Sequence, residues 1–409
     1  MGNRIGIIGA GAAGLLAAGR AAELGKEVVV FDKNHRPGRK LLITGKGRCN
    51  ITNACDTDEL MANIPGNGRF LYSALSRFGP YEIMGLFEEN GVNVKTERGN
   101  RVFPVSDKAA DVVDALFRYA KNKGASFRFN TRVEKLDVAE GQVRGVHLSE
   151  GGYEELDSII VATGGLSYPL TGSTGDGYRF ARDSGHEVTG LNPSLVPLET
   201  KEDWVKSLQG LSLKNVSLSV YDTAEQKVYE ELGEMLFTHF GVSGPLILSA
   251  SRHILDFGYR DARLSIDLKP GLDEEMLDKR LQRDFAKYSR KQFANALDEL
   301  LPKSLIPVFV TLSGLEGEKP VHQITKGERL GLVKLLKALP LTVSRARPVD
   351  EAIVTAGGVS VKGINPSTME SRQVKGLFFA GEVLDVDGYT GGFNLTIAFS
   401  TGYTAGSRA

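Results

Sequence analysis

The chain has little cysteine, no excess of either charge and no long uninterrupted apolar run, and each shortage narrows what it can be. Its two cysteines, Cys49 and Cys55, make neither a disulfide framework nor a C-x-x-C redox pair. That usage suits a reducing compartment, and a cytoplasmic protein is expected. Lysine plus arginine and aspartate plus glutamate number 50 each, so the broad attraction that draws basic proteins to nucleic acid or anionic membranes is missing. No apolar stretch has the length of a membrane span. The run Ile5–Gly19 carries glycines at regular spacing, which argues against a signal peptide. The sequence has no H-E-x-x-H, paired Cys/His cluster or carboxylate triplet to signal a metal. It also lacks a serine nucleophile elbow and a Walker loop. These exclusions leave a small-molecule partner, with nucleic acid disfavoured and the oligomeric state open.

Glycine is plentiful, 48 of 409 residues, and it clusters where a backbone would approach a ligand. The densest signal is Arg4 to Asp32, RIGIIGAGAAGLLAAGRAAELGKEVVVFD. The apolar run Ile5–Ile8 leads into GAGAAG, a helix rich in small residues follows, and Val28–Phe31 ends at Asp32. In this reading Gly9 permits the tight turn, Gly11 lets a pyrophosphate approach, and Gly14 lets helix and strand pack closely. Ala12 and Ala13 open the helix, whose unpaired N–H groups and positive end suit phosphate. Asp32 can accept hydrogen bonds from an adenosine ribose. With both strands and the acid in register, the motif predicts adenine-dinucleotide binding.

FAD and NAD proteins share that motif, so later segments must decide between them. Ile159–Gly165, IIVATGG, is a strand ending in Thr163, Gly164 and Gly165, small residues that let the chain return past a dinucleotide. Thr171–His186 has a glycine loop opening a helix and is similar to flavoproteins of the fumarate reductase type. Gly376–Gly402 has a strand stopping at Gly381-Glu382 and a glycine loop opening a helix near Asn394. Glu382 could accept from ribityl or ribose hydroxyls. The N–H groups around Gly392, Phe393, Asn394 and Leu395 could meet the flavin pyrimidine edge, where a helix N-terminus stabilises the negative charge of the reduced ring. The plain alternative is a strand–turn–helix with no ligand.

The intervening chain predicts helices within 69–90 and over Lys108–Lys123, and strands at Ser126–Phe129, Val143–Leu148 and Ser158–Val161. Beyond about Asn192 the pattern changes. Val216, Leu218 and Val220, and later Leu264, Ile266 and Leu268, alternate with polar residues as half-buried strands do. His239–Pro245 reads as a glycine-punctuated loop between them. Asp273 to about Leu300 and Lys326–Lys337 read as helical. The economical arrangement is a nucleotide domain interrupted by an insertion, which is expected to cover the flavin and build the substrate pocket.

On GRKLLITGKGRCNITN (Gly38–Asn53), THFGVSGP (Thr238–Pro245), TAGGV (Thr355–Val359) and GYTGGFNLTIAFSTG (Gly388–Gly402), nearly the whole chain resembles the aminoacetone-oxidase-like FAD flavoproteins, also described as NAD(P)/FAD-dependent oxidoreductases. The resemblance implies an α/β fold: a Rossmann-like FAD domain split over 1–191 and 351–409, an inserted β-rich domain over 192–270 and 341–350, and a small helical domain over 271–340. It also implies amine oxidation or reduction of unsaturated ketosteroid-like compounds. Asp32 stands where such proteins often carry Glu.

Together these readings predict an FAD-dependent oxidoreductase with noncovalent FAD and hydride transfer at flavin N5. NADH or NADPH is the transient donor in a reductase cycle acting on an activated C=C. An amine donor with O2 defines an oxidase cycle. A tRNA-modifying flavoprotein and a non-catalytic flavin sensor are the rivals. Lys33, Arg39, Lys40 and Val133 join the expected cofactor contacts, with Lys46 and Arg48 in the same basic loop; a merely solvated loop is the alternative. Asn50 is expected at the flavin edge. Cys49 could act as an acid beside the flavin or simply pack. His239 could donate a proton, or its loop could act by shape alone. Tyr168 and Tyr389 could stack on the ring or fill core, and His186 could cap a helix.

Overall fold

The computed structural model describes residues 4–409. The chain forms two compact units, Met1–Ser194 with Val349–Ala409, and Leu195–Pro348.

A five-stranded parallel sheet organises the first unit. Its strands are β1 (Arg4–Ile8), β2 (Glu27–Phe31), β3 (Ser126–Arg128), β4 (Ser158–Val161) and β5 (Leu377–Phe379), in the order β5-β4-β1-β2-β3. Ile8 pairs with Phe31 on one side and Val161 on the other, and Val161 pairs with Phe379. Ile5, Ile7, Val28–Phe31 and Ile159–Val161 are all buried, as strands covered on both faces require. The glycine turns after β1, β4 and β5 therefore fall at the carboxyl ends of neighbouring strands, where open α/β sheets bind ligands.

Three helices complete the framework: α1 (Ala12–Glu23), α2 (Asp176–Asp183) and α3 (Phe393–Gly406). Helix α3 returns the C-terminal segment onto α1. A Cβ on Gly402 would stand 2.4 Å from the Ala13 carbonyl oxygen, and one on Gly406 would stand 2.4 Å from that of Ala17. Glycine against alanine, one turn apart on both helices, lets the two backbones touch, and this contact joins the ends of the chain. Asn192–Ser194 pairs antiparallel with Val354–Ala356 in the same unit.

The segment expected to be helical over 69–90 is not continuous. It forms a 3-10 turn, Gly68–Leu71, and helices Tyr72–Arg77 and Pro80–Glu89. Pro80 cannot continue a helix but starts one well, and the Gly79 N–H is met by Glu82. The helix over Lys108–Lys123 is present as Ala109–Asn122.

In the second unit, Leu198–Thr200, Gly241–Ser243, Lys227–Phe237, Ser212–Tyr221, Arg263–Asp267 and Leu339–Ala346 close into a barrel in that order. Val216, Leu218, Val220, Leu264 and Ile266 are buried, as their alternation predicts. Gly241–Ser243, read from sequence as loop, is a barrel strand. Helices Glu274–Lys287, Ile306–Ser313 and Lys326–Lys337 lie between the last two barrel strands in sequence. The last is opened by a reciprocal cap between Thr325 and Glu328. Among the described residues no helix is long and apolar enough to cross a membrane.

Candidate functional site

The turn after β1 assigns each glycine a different task. Gly9 has φ +105°, and a Cβ there would stand 2.5 Å from the Ala162 carbonyl oxygen. A Cβ on Gly14 would lie 1.8 Å from the Gly9 carbonyl oxygen. A Cβ on Gly11 meets nothing within 4 Å. Gly9 and Gly14 thus fold the turn, while Gly11 faces open space at the start of α1. That helix has no side-chain cap and no acid in its first turn, so the N–H groups from Ala12 onward are not matched by a side chain. This is a cradle for a phosphate.

Asp32 closes the far side of the turn. Its Oδ2 accepts from the Ala10 N–H at 2.7 Å, and its Oδ1 accepts from the Asn34 N–H at 2.7 Å and Nδ2 at 2.9 Å. Asn34, which no sequence pattern singles out, passes the arrangement on by accepting from Arg39 Nη1 at 2.8 Å. The Thr131 N–H donates to the Asp32 carbonyl, and buried Val133 follows two residues after Thr131.

Lys33 and Lys40, two of the expected cofactor contacts, are held by carboxylates. Lys33 Nζ lies 2.6 Å from Asp176 Oδ2 at the start of α2 and also contacts Thr174. Burial alone would raise the Asp176 carboxyl, but hydrogen bonding and charge from Lys33 carry it below its ordinary range. Lys40 Nζ donates to Glu382 Oε2 and to Ser167 Oγ, each at 2.6 Å. Glu382 Oε1 accepts from Ser167 Oγ and the Thr355 N–H, each at 3.0 Å. The sequence placed Lys40 and Glu382 at opposite ends of the chain with separate roles; the fold makes them partners.

Thr163, Gly164 and Gly165 follow β4. Thr163 Oγ1 is buried without a partner, Gly164 has φ +74°, and a Cβ on Gly165 would stand 2.4 Å from Thr355 Oγ1. After β5, Gly381 turns with φ +78°. At the start of α3, Gly392 has φ +105°, and a Cβ there would come 2.4 Å from the Thr52 carbonyl oxygen. The Asn394 side chain accepts from the Gly388 N–H at 2.9 Å and donates to the Gly388 carbonyl at 2.7 Å, closing its own loop. Phe393 is buried as core. What α3 offers a ligand at Phe393, Asn394 and Leu395 is backbone.

Asn50 and Asn53 each carry a buried Oδ1 with no hydrogen-bond partner. Asn53 Nδ2 donates to the Gly391 carbonyl at 3.0 Å, and Thr52 Oγ1 lies 2.7 Å from Thr396 Oγ1. Sequence reasoning singled out Asn50 and passed over Asn53, although the paired asparagines of GRCNITN were visible. Buried acceptors without donors are rare, and here they accompany a bare helix N-terminus and an open glycine. The residues fit a flavin adenine dinucleotide.

Cys49 is fully buried, and burial pushes its thiol up to about 12, so it keeps its proton near neutrality and is no thiolate nucleophile. Tyr168 sits at φ +53° with Lys40 Nζ 5.9 Å from its ring centre, and burial raises its phenol. Tyr389 packs partly buried against the core. His186 caps α2 through its backbone N–H, while its buried ring lies 2.8 Å from Ser371 Oγ. His239 belongs to the second unit, on the turn before Gly241–Ser243, with its ring edge-on to Phe240.

The chain matches the HI0933-like protein Rossmann domain over residues 3–408. It belongs to that family. It is 33% identical to the 3-dehydro-bile acid delta(4,6)-reductase of Clostridium scindens over 100% of this chain and 99% of the relative. It is also 33% identical to the ribosomal RNA dihydrouridine synthase of Haemophilus influenzae, covering 97% of this chain and 96% of that one. The fold is similar to 3-ketosteroid delta1-dehydrogenase from Sterolibacterium denitrificans, with a TM-score of 0.53 at 16% identity and 99% of both chains covered. This HI0933-like chain is an enzyme, an FAD-dependent oxidoreductase.

Proposed function

We propose that the protein reduces a carbon–carbon double bond conjugated to a carbonyl, with NADH or NADPH supplying the electrons through bound FAD. The names of the two relatives describe different substrates but one kind of bond change. A steroid dienone and a uracil ring both present a C=C beside a carbonyl, and both reactions saturate it. The observation that carries the cofactor half of the reading is the open face at Gly11 beside the uncapped start of α1.

When bound, FAD supplies hydride at its N5. The chain's own groups do the rest. The N–H groups from Gly11 to Gly14 would hold the pyrophosphate, Asp32 would take a ribose hydroxyl, and Val133 would be a further cofactor contact. Glu382 keeps Lys40 beside the returning segment Thr163–Gly165. The N–H groups of Phe393, Asn394 and Leu395 would hold the pyrimidine edge, where the positive end of α3 would favour negative charge. Asn50 Oδ1 would accept from an N–H or O–H of the cofactor.

A polymeric RNA substrate is the second reading, favoured by the dihydrouridine synthase relatives in Haemophilus influenzae and Escherichia coli. The equal numbers of basic and acidic residues weigh against it, since phosphate contacts dominate RNA affinity. Anaerobic titration separates the cases. NADH or NADPH should bleach the flavin, and a conjugated steroid enone should restore its colour. Restoration by uridine-containing rRNA alone favours the second reading. Bleaching by aminoacetone with recovery only under O2 favours an amine oxidase. A flavin that none of these reduces contradicts a catalytic role.

A further inference from the structure

We propose that Arg48 is a positioning residue: it clamps the loop Gly45–Asn50 and thereby fixes the Asn50 amide against the flavin. The proposal rests on the FAD reading above and adds to it a residue whose role is to hold another.

The loop has a shape that its own sequence does not favour. Gly45, Lys46 and Gly47 are consecutive left-handed residues, with φ of +56°, +58° and +85°, and Cys49 follows at +59°. Lysine and cysteine rarely adopt this conformation. Something outside the loop must hold it, and Arg48 lies between the two disfavoured residues.

Arg48 is gripped from three sides. Its Nε and Nη2 donate to Asp107 Oδ1 at 2.8 and 2.6 Å, and its Nη atoms donate to both oxygens of Glu97. Its guanidinium carbon lies 4.1 Å from the centre of the Phe103 ring, a cation–π contact. Lys95 braces the same carboxylates, 2.7 Å from Asp107 Oδ2. Glu97 and Phe103 belong to the hairpin of Val94–Glu97 and Arg101–Pro104, and that hairpin pairs with Thr52–Asn53. Hairpin, clamp and loop form a closed frame, and Asn50 lies within it.

The frame ends at the start of α3, where Asn53 donates to the Gly391 carbonyl and Thr52 meets Thr396. Within it the Asn50 Oδ1 is buried and unmatched. An acceptor kept in that state awaits a donor, and a bound flavin brings one. The ion cluster is itself a third exposed, with side-chain exposures of 35% for Arg48, 30% for Glu97 and 41% for Asp107. Exposed pairs add little to global stability, so this cluster serves local shape.

The test is a double-mutant cycle on the purified protein, read by FAD dissociation constant, flavin midpoint potential and Tm. Asn50→Ala should weaken FAD about tenfold and shift the potential. Arg48→Met should do nearly the same with Tm almost unchanged, Arg48→Lys should recover part of the loss, and the double variant should be no worse than Asn50→Ala alone. If Arg48→Met fails to fold, Glu97→Gln with Asp107→Asn carries the same cycle. Independent, additive effects, or wild-type affinity and potential in Arg48→Met, overturn the clamp while leaving the FAD reading intact. A wild-type protein that takes up no FAD overturns both.

Discussion

Gly9–Gly14 and Thr44–Asn50 both bend the chain sharply, but by opposite means. The first turn places glycine at its left-handed position, Gly9, and at its closest contact, Gly14. Its own glycines permit its path, and Asp32 ties it by accepting from the Ala10 N–H. The second places Lys46 and Cys49 in the left-handed region and relies on Arg48, which is held by residues 49 and 59 positions away. One turn is encoded where it stands. The other depends on a hairpin distant in sequence, Val94–Glu97 with Arg101–Pro104.

The comparison breaks most severely at Gly14. Gly14→Ala puts a methyl where only 1.8 Å separates it from the Gly9 carbonyl oxygen. It should cost about 3 kcal/mol or more, visible as a large drop in denaturation midpoint or as insoluble protein. Normal unfolding of that variant would show that the turn can relax. Gly11→Val comes next. Nothing lies within 4 Å of its Cβ position, so urea unfolding should stay near wild type while FAD affinity falls on the order of a hundredfold. A yellow Gly11→Val protein would remove the pyrophosphate from this cradle.

A smaller effect sharpens the other side. Lys46→Gly removes a left-handed penalty and should stabilise the apoprotein by up to about 1 kcal/mol, offset in part by the flexibility glycine gives the unfolded chain. A clear loss of stability would mean that the Lys46 side chain has a structural role of its own. The smallest effect lies outside both turns. Burial lowers the pKa of His186 below its ordinary value of 6.5, so the neutral ring is favoured in the folded state. Stability should be intact above pH 6.5 and decline as pH falls from there through the lowered folded value, because the unfolded chain binds the proton first. His186→Gln should lose that component of the pH dependence; an unchanged slope would assign it to other groups.

Much of the fold and half of the site were legible for the reason this comparison gives. The Arg4–Asp32 unit, strand Ser158–Val161 and helix Lys326–Lys337 follow from patterns a few residues long, and they stand where those patterns put them. Lys40 and Glu382 are 342 positions apart, and Thr52 and Thr396 are 344 apart; no local pattern reports such pairs. The same distance effect hid the carboxylate partners of Lys33 and Lys40, whose charge alone was visible. Cys49 was ambiguous because a thiol's reactivity depends on burial, which composition does not reveal. Asn394 was chosen for its position at a helix start, and its side chain turned out to close the preceding loop.

The most direct test of the central claim is an anaerobic titration of the purified, FAD-loaded protein followed in the visible flavin band. The account predicts that NADH or NADPH bleaches the band and that a conjugated enone restores it without oxygen. A band that nicotinamide leaves untouched, or that only O2 restores, would contradict it.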